Sequence, residues 1–336
     1  MLYHLDPLVE KIRSVVESHR LAPGAYRRWN WQNAAGTRNL DASEYGCADA
    51  ANILYTIGDF PESPEERTAF IAQLRAFQHA DTGLFTEPTH HTLHATAHCT
   101  AALELFDALP LHPLTGLDTF RTRENLTALL DGLDWVGNPW SQAHQGAGIF
   151  AALVNTRSAP LAWQNDYFAY LDAVCDPKYG MSYTGAIDAP GSKPLCHHLF
   201  GWFHYLFNYS YARRPFPHAE ALLHTCIELY RTQSWDQAGI FGRAVNFREI
   251  DWVFTVHRAA AQTGFRFGEC KALLRDFAAR YLPYLDSLDW ARDESCNDLH
   301  MLFGAVCALA ELQLALPGEI LSTRPLKNVL DRRPFI

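Results

Sequence analysis

The sequence predicts an all-α fold: one domain over residues 1–336, six helical hairpins closed into a ring with inner and outer helical layers. Two observations predict it. Helices with a single apolar stripe alternate with helices that are small or apolar nearly all round, and only the second kind suits burial on every side. The alternation recurs at spacings of roughly 45 to 60 residues, long for a two-helix solenoid repeat. No run sustains the period of two that marks a strand, and only short extended pieces are expected, at "GLF", "GMSY" and "GIFG".

Taken in order, "HRLAPGAYRRWNWQ" leads through a loop to the first inner helix, "SEYGCADAANILYTIG". The outer helix "SPEERTAFIAQLRAFQ" follows, with Ser63 as N-cap, Pro64 in the first turn and Glu66 completing a capping box. Phe70, Ile71, Leu74 and Phe77 share one face of it. The histidine-dense stretch "DTGLFTEPTHHTLHATAHCTAALELF" then opens the second inner helix. "GLDWVGNPWSQAHQ" leads to "GAGIFAALVNT", and "CDPKYGMSYTG" to "LCHHLFGWFHYLFNYSY". "SWDQAGIFGRAVNF" leads to "REIDWVFTVHRAAAQTG", and "LDSLDWARDESCN" to "DLHMLFGAVCALAELQLAL".

Bulk properties remove several function classes. Hydrophobic residues make up 48% of the chain, enough for a large core. With 28 Lys and Arg against 37 Asp and Glu, the net charge of -9 argues against a nucleic-acid partner. The run Met301–Leu316 is too short to span a bilayer and contains Glu311, so no membrane partner is expected. The start lacks a basic segment followed by an apolar one, and the eight cysteines form no CxxC pair. Reduced, buried thiols and a cytoplasmic location are therefore expected.

Six hairpins with turns such as "HADTGLF", "DPKYGMSY" and "WDQAGIF" resemble the (α/α)6 toroid superfold. That resemblance covers nearly the whole chain at the level of architecture. It implies a family of glycoside hydrolases, polysaccharide lyases and sugar epimerases, with terpene cyclases and prenyltransferase subunits more distant.

In such a ring the loops entering the inner helices meet on one face and shape a central pocket. The first turns carry Glu44 and Asp49; His91 and His94; His144; His197 and His198; Glu249 and Asp251; and Asp298 with His300. Aromatic residues crowd the same loops, among them Trp31, Trp140, Tyr183 and Trp252, and Arg243 adds a cation. Flat rings beside carboxylates and imidazoles suit a small saccharide, expected to be uronic or otherwise acidic.

The expected activity is therefore that of a glycoside hydrolase, with Glu44 and Asp251 as the carboxylate pair that hydrolysis needs. His91 and His197 grip or protonate the substrate. Trp31, His94, Trp140, His144, Tyr183, His198, Arg243, Trp252 and Asp298 line the pocket. The alternative is a lyase or sugar epimerase in which imidazole is both acid and base. A further alternative is a zinc-dependent protein similar to lanthionine cyclases or prenyltransferases. "LCHHLFG" and "AHQGAG" echo the former only partly, and no HExxH is present. No cofactor and no metal are expected, and His98 is read as structural. The loop "GAIDAPGSKPLC" is expected to fold over the pocket and bring Asp188 or Lys193 near the substrate.

Overall fold

The structure is a computed structural model and describes residues 2–235 and 241–336. Its helices are of two kinds. Six bury one stripe: α1 (Asp6–His19), α3 (Pro64–Ala76), α5 (Arg123–Asp131), α7 (Leu161–Val174), α9 (Ala219–Thr232) and α11 (Phe267–Ser287). Six are enclosed: α2 (Glu44–Ile57), α4 (Thr92–Leu105), α6 (Pro139–Asn155), α8 (Leu195–Tyr211), α10 (Arg248–Thr263) and α12 (Leu299–Ala315). The contrast follows the sequence. α3 buries Phe70 and Leu74 and leaves its acidic first turn in solvent, whereas α4 is buried without a break from Leu93 to Leu103. An Ala-rich surface makes that possible, because small side chains let neighbours approach from all directions.

The enclosed helices pack on one another in cyclic order. α2 meets α4, α4 meets α6, α6 meets α8, α8 meets α10, α10 meets α12, and α12 returns to α2. Outside them, α3 lies against α2 and α4, α9 against α8 and α10, and α11 against α10 and α12. Strand content is slight. β1 (Tyr3–His4) pairs in parallel with β4 (Ile320–Leu321), joining the first residues to those after α12. β2 (Arg20–Ala22) and β3 (Ala25–Tyr26) form a two-stranded antiparallel turn around Gly24, which has φ +73. Of the expected extended pieces, "GMSY" supplies an isolated bridge from Tyr183 to Cys175, and "GIFG" lies partly outside the described residues. Among the described residues, no helix is long and apolar enough to cross a membrane.

Two local details differ from the sequence reading. Ser63 caps α3 by accepting from the Glu66 amide at 3.1 Å, but the Glu66 carboxylate takes Arg20 at 3.3 Å rather than closing the capping box. α6 begins at Pro139, not near Gly146, so Trp140 and His144 stand on the helix instead of ahead of it. Proline at a first helical position explains the early start, since its fixed φ is already helical and its missing N–H is not needed there.

Gly46 marks a close crossing of backbones. A Cβ there would lie 2.3 Å from the Tyr26 carbonyl oxygen and 2.8 Å from the Arg28 nitrogen. Neither neighbour is a flexible side chain, so Gly46→Ala should cost about 1–3 kcal/mol in chemical denaturation, as overpacking does. The same substitution should displace Arg28, whose position matters below.

Candidate functional site

The second turns of α2 and α4 and the first turn of α12 bring an acid and two imidazoles together. Asp49 on α2 is fully buried, and its Oδ1 accepts from His98 Nε2 at 2.8 Å and from His300 Nδ1 at 3.1 Å. Burial alone would push the Asp49 pKa up, but the two imidazoles outweigh it and hold the carboxyl below its ordinary range. His300 is pushed down to about 4 by burial, with Asp49 opposing, so it is a neutral imidazole at neutral pH. Its Nδ1–H donates to Asp49. Its Nε2 has no hydrogen-bond partner among the described residues.

A second group of imidazoles adjoins this one. His94 on α4, His144 on α6 and His204 on α8 have ligand nitrogens that all lie within 4.8 Å of one another. Ring centroids are 4.6 Å apart for His94 and His144, and 4.3 Å for His144 and His204. Tyr45 is hydrogen-bonded to His94 Nδ1, and His204 Nδ1 donates to the Phe200 carbonyl at 2.8 Å. Burial, followed by the neighbouring imidazoles, lowers the pKa of His94 and of His144; burial lowers His204 to about 4 against its carbonyl partner. His90 stacks on both Tyr45 and His94, at 4.8 and 4.7 Å. Phe335 stands edge-on to His94 at 4.8 Å and closes the apolar side.

Arg28 ties the mouth together. Its guanidinium takes Asp298 through two bonds of 2.9 Å, and also reaches Thr89 at 2.7 Å and Glu87 at 3.3 Å. A fork of this kind fixes both partners at once. Asp298 also caps α12 by accepting from the His300 amide at 3.0 Å. Burial opposes ionisation of Glu87, but His90, Thr89 and Arg28 bring its pKa down to about 2.

Of the residues expected from the sequence, the structure gathers His94, His144 and Asp298 here. It does not bring Glu44 and Asp251 together. α12 separates α2 from α10, and the charges that act on Glu44 are Glu87 and His79, while those on Asp251 are Glu249 and Arg248. His91 is exposed and caps α4, accepting from the Leu93 amide at 3.1 Å. His198 is buried and bonded at both nitrogens, to Ser182 at 2.8 Å and Ser192 at 2.9 Å, so it pins a loop rather than lining a pocket. Trp252 is fully buried in the core, stacked on Tyr230 at 4.5 Å and bonded to the Cys226 carbonyl. Trp31 bonds Glu294 and faces a separate cleft of about 490 Å³ with Trp290 and Lys11. Tyr183 borders another hollow beside Trp135 and Asp131. His197 sits with Trp140, ring centroids 6.0 Å apart, and Arg243 is exposed. In the long loop, Asp188 is held by Lys178 at 2.7 Å and Tyr179 at 2.6 Å, which occupies the carboxylate expected to reach substrate.

Asp251 belongs to a different polar island. Neither of its oxygens has a partner among the described residues, and Glu249 Oε2 is equally bare. Burial is the main cause that raises both carboxyls, Glu249 to about 7. A raised folded-state pKa stabilises the fold below the unfolded value and loses that contribution as pH rises through the folded one. The unfolding free energy should therefore decline between pH 4.5 and about 7, by up to about 1.4 kcal/mol per pH unit for one proton. Glu249→Gln should flatten that slope in melts taken across the interval; an unchanged slope assigns it to other groups.

Sequence reasoning passed over Tyr45, Arg28, Glu87 and His204. His204 lies nine residues into α8, beyond its first turn, but its spacing of seven from His197 puts both on one helical face. Compared with known protein families, curated proteins and solved structures, the chain matches none.

Proposed function

We propose that this chain is an (α/α)6 toroid enzyme that moves a proton next to the carboxylate of a small acidic saccharide, by elimination or epimerisation. The Asp49–His300 pair carries the reading. A neutral imidazole whose Nδ1–H is held by a buried carboxylate presents Nε2 as an oriented base. The cyclic packing of α2 through α12 supports the toroid.

His300 Nε2 takes the proton from the carbon beside the carboxylate, and the C–H electron pair moves into the carboxylate as an enediolate. In elimination, the β C–O bond then breaks as the C=C bond forms, and the imidazolium gives its proton to the departing glycosidic oxygen. In epimerisation, an acid on the opposite face returns a proton to the same carbon. The hydrolase expectation has less support. Glu44 and Asp251 are apart, and Glu87 and Asp298 are both engaged by Arg28.

The test is solvent exchange. Uronic oligosaccharides incubated in deuterium oxide should gain deuterium beside the carboxylate, or yield an unsaturated product absorbing in the ultraviolet. Hydrolysis of aryl glycosides without exchange, undiminished in His300→Gln, would sink this reading and restore the hydrolase.

A further inference from the structure

We infer that His94, His144 and His204 form a binding site for one zinc ion, with a fourth position open to an oxygen ligand. Three neutral imidazoles and an exchangeable position make a known catalytic zinc arrangement. Tetrahedral ligation at about 2.0–2.1 Å sets nitrogens roughly 3.3 Å apart. The three nitrogens already lie within 4.8 Å of one another, so small ring rotations complete the site.

Four further observations point the same way. The ligands come from three successive enclosed helices, α4, α6 and α8, so packing fixes their spacing. The outer nitrogens of two are already tied, His94 Nδ1 to Tyr45 and His204 Nδ1 to the Phe200 carbonyl, which leaves Nε2 facing inward on each. Such outer partners are what orient imidazoles on metals. His144 has no hydrogen-bond partner among the described residues, and it is half-buried, which gives an ion a way in. Lastly, the rings of His90 and His300, 4.7 and 6.3 Å from that of His94, each hold a carboxylate, Glu87 and Asp49. A divalent cation on the three imidazoles therefore meets negative charge one ring away. A purely structural stack of histidines accounts for the rings but not for three ring nitrogens converging from three helices.

Binding of the ion stands on this geometry alone. Its part in turnover rests on the proton-transfer reading: a substrate carboxylate oxygen in the fourth position would share its growing charge with the cation as His300 takes the neighbouring proton.

Elemental analysis of the purified full chain, with zinc titration after chelation and dialysis, tests the site. One equivalent per chain is expected, and cobalt(II) in its place should show the visible absorption of tetrahedral coordination. His144→Ala, half-buried and so tolerant, should weaken zinc by more than the roughly 10–100-fold that outer partners of a metal site command. Tyr45→Phe should weaken it within that range, whereas His300→Gln should bind zinc as the unaltered chain does. Failure to bind zinc or cobalt, or equal affinity in His144→Ala and the unaltered chain, overturns the site. Zinc binding without deuterium exchange would leave the site standing and remove the proton-transfer reading instead.

Discussion

Turnover should fall by about 10²–10⁴-fold when His300 becomes Gln, the range that a positioned proton-transfer group commands. The loss should appear in kcat with KM nearly unchanged, because the Nε2 lone pair acts in the transition state rather than in binding. Asp49→Asn should follow it closely, since an amide cannot hold His300 Nδ1–H as a carboxylate does. The informative control is His98→Gln. His98 shares the same Asp49 oxygen at 2.8 Å, but its other nitrogen, Nδ1, is sealed from solvent, so its substitution should lower Tm and spare most of the rate. If His98→Gln and His300→Gln lose rate equally, the three groups are a structural unit and the base is elsewhere.

The second large effect is on stability. Glu311, in the middle of α12, is 1% exposed and accepts from Arg258 at 2.6 and 2.9 Å and from His257. Arg258 reaches on to Asp331 at 2.9 Å, so the cluster pins the 3₁₀ turn Val329–Asp331 to α10 and α12. Glu311→Ala should cost about 3–5 kcal/mol in denaturant unfolding, because it leaves a guanidinium without its main counter-charge. Replacing Glu311 and Arg258 together by Leu and Met should cost much less than the two single losses added. Additive losses would mean that the pair is not coupled.

The fold was more legible than the site. Enclosed helices announced themselves because burial on all sides demands small or apolar residues at every turn, as in "ATAHCTAALEL" and "AVCALAELQLAL". The helical class and the limits of α8 and α10 followed from that. Side-chain partnerships did not follow, because they depend on which helices are neighbours. Glu44 and Asp251 looked alike as first-turn acids, yet α12 stands between their helices. Asp298 was found by its position, but Arg28, the group that organises it, comes from the chain ahead of α2, where no helical period marks it. His94 and His144 were identified singly. Their third companion, His204, lies among the aromatic residues of α8, well past its first turn, where nothing local singles it out.

The cyclic packing has a kinetic side. Contacts between successive enclosed helices are shorter in range, but the return of α12 to α2 and the pairing of Tyr3 with Ile320 join the first elements of the chain to the last. Loop-closure entropy places such contacts late in folding. Until they form, α2 and α12 each keep an apolar flank bare, and a partly assembled ring can satisfy that flank by capturing another chain. Refolding should therefore slow and branch toward aggregates at that closing seam, which makes the short β1–β4 pairing a latch whose strength sets the yield of ring over oligomer.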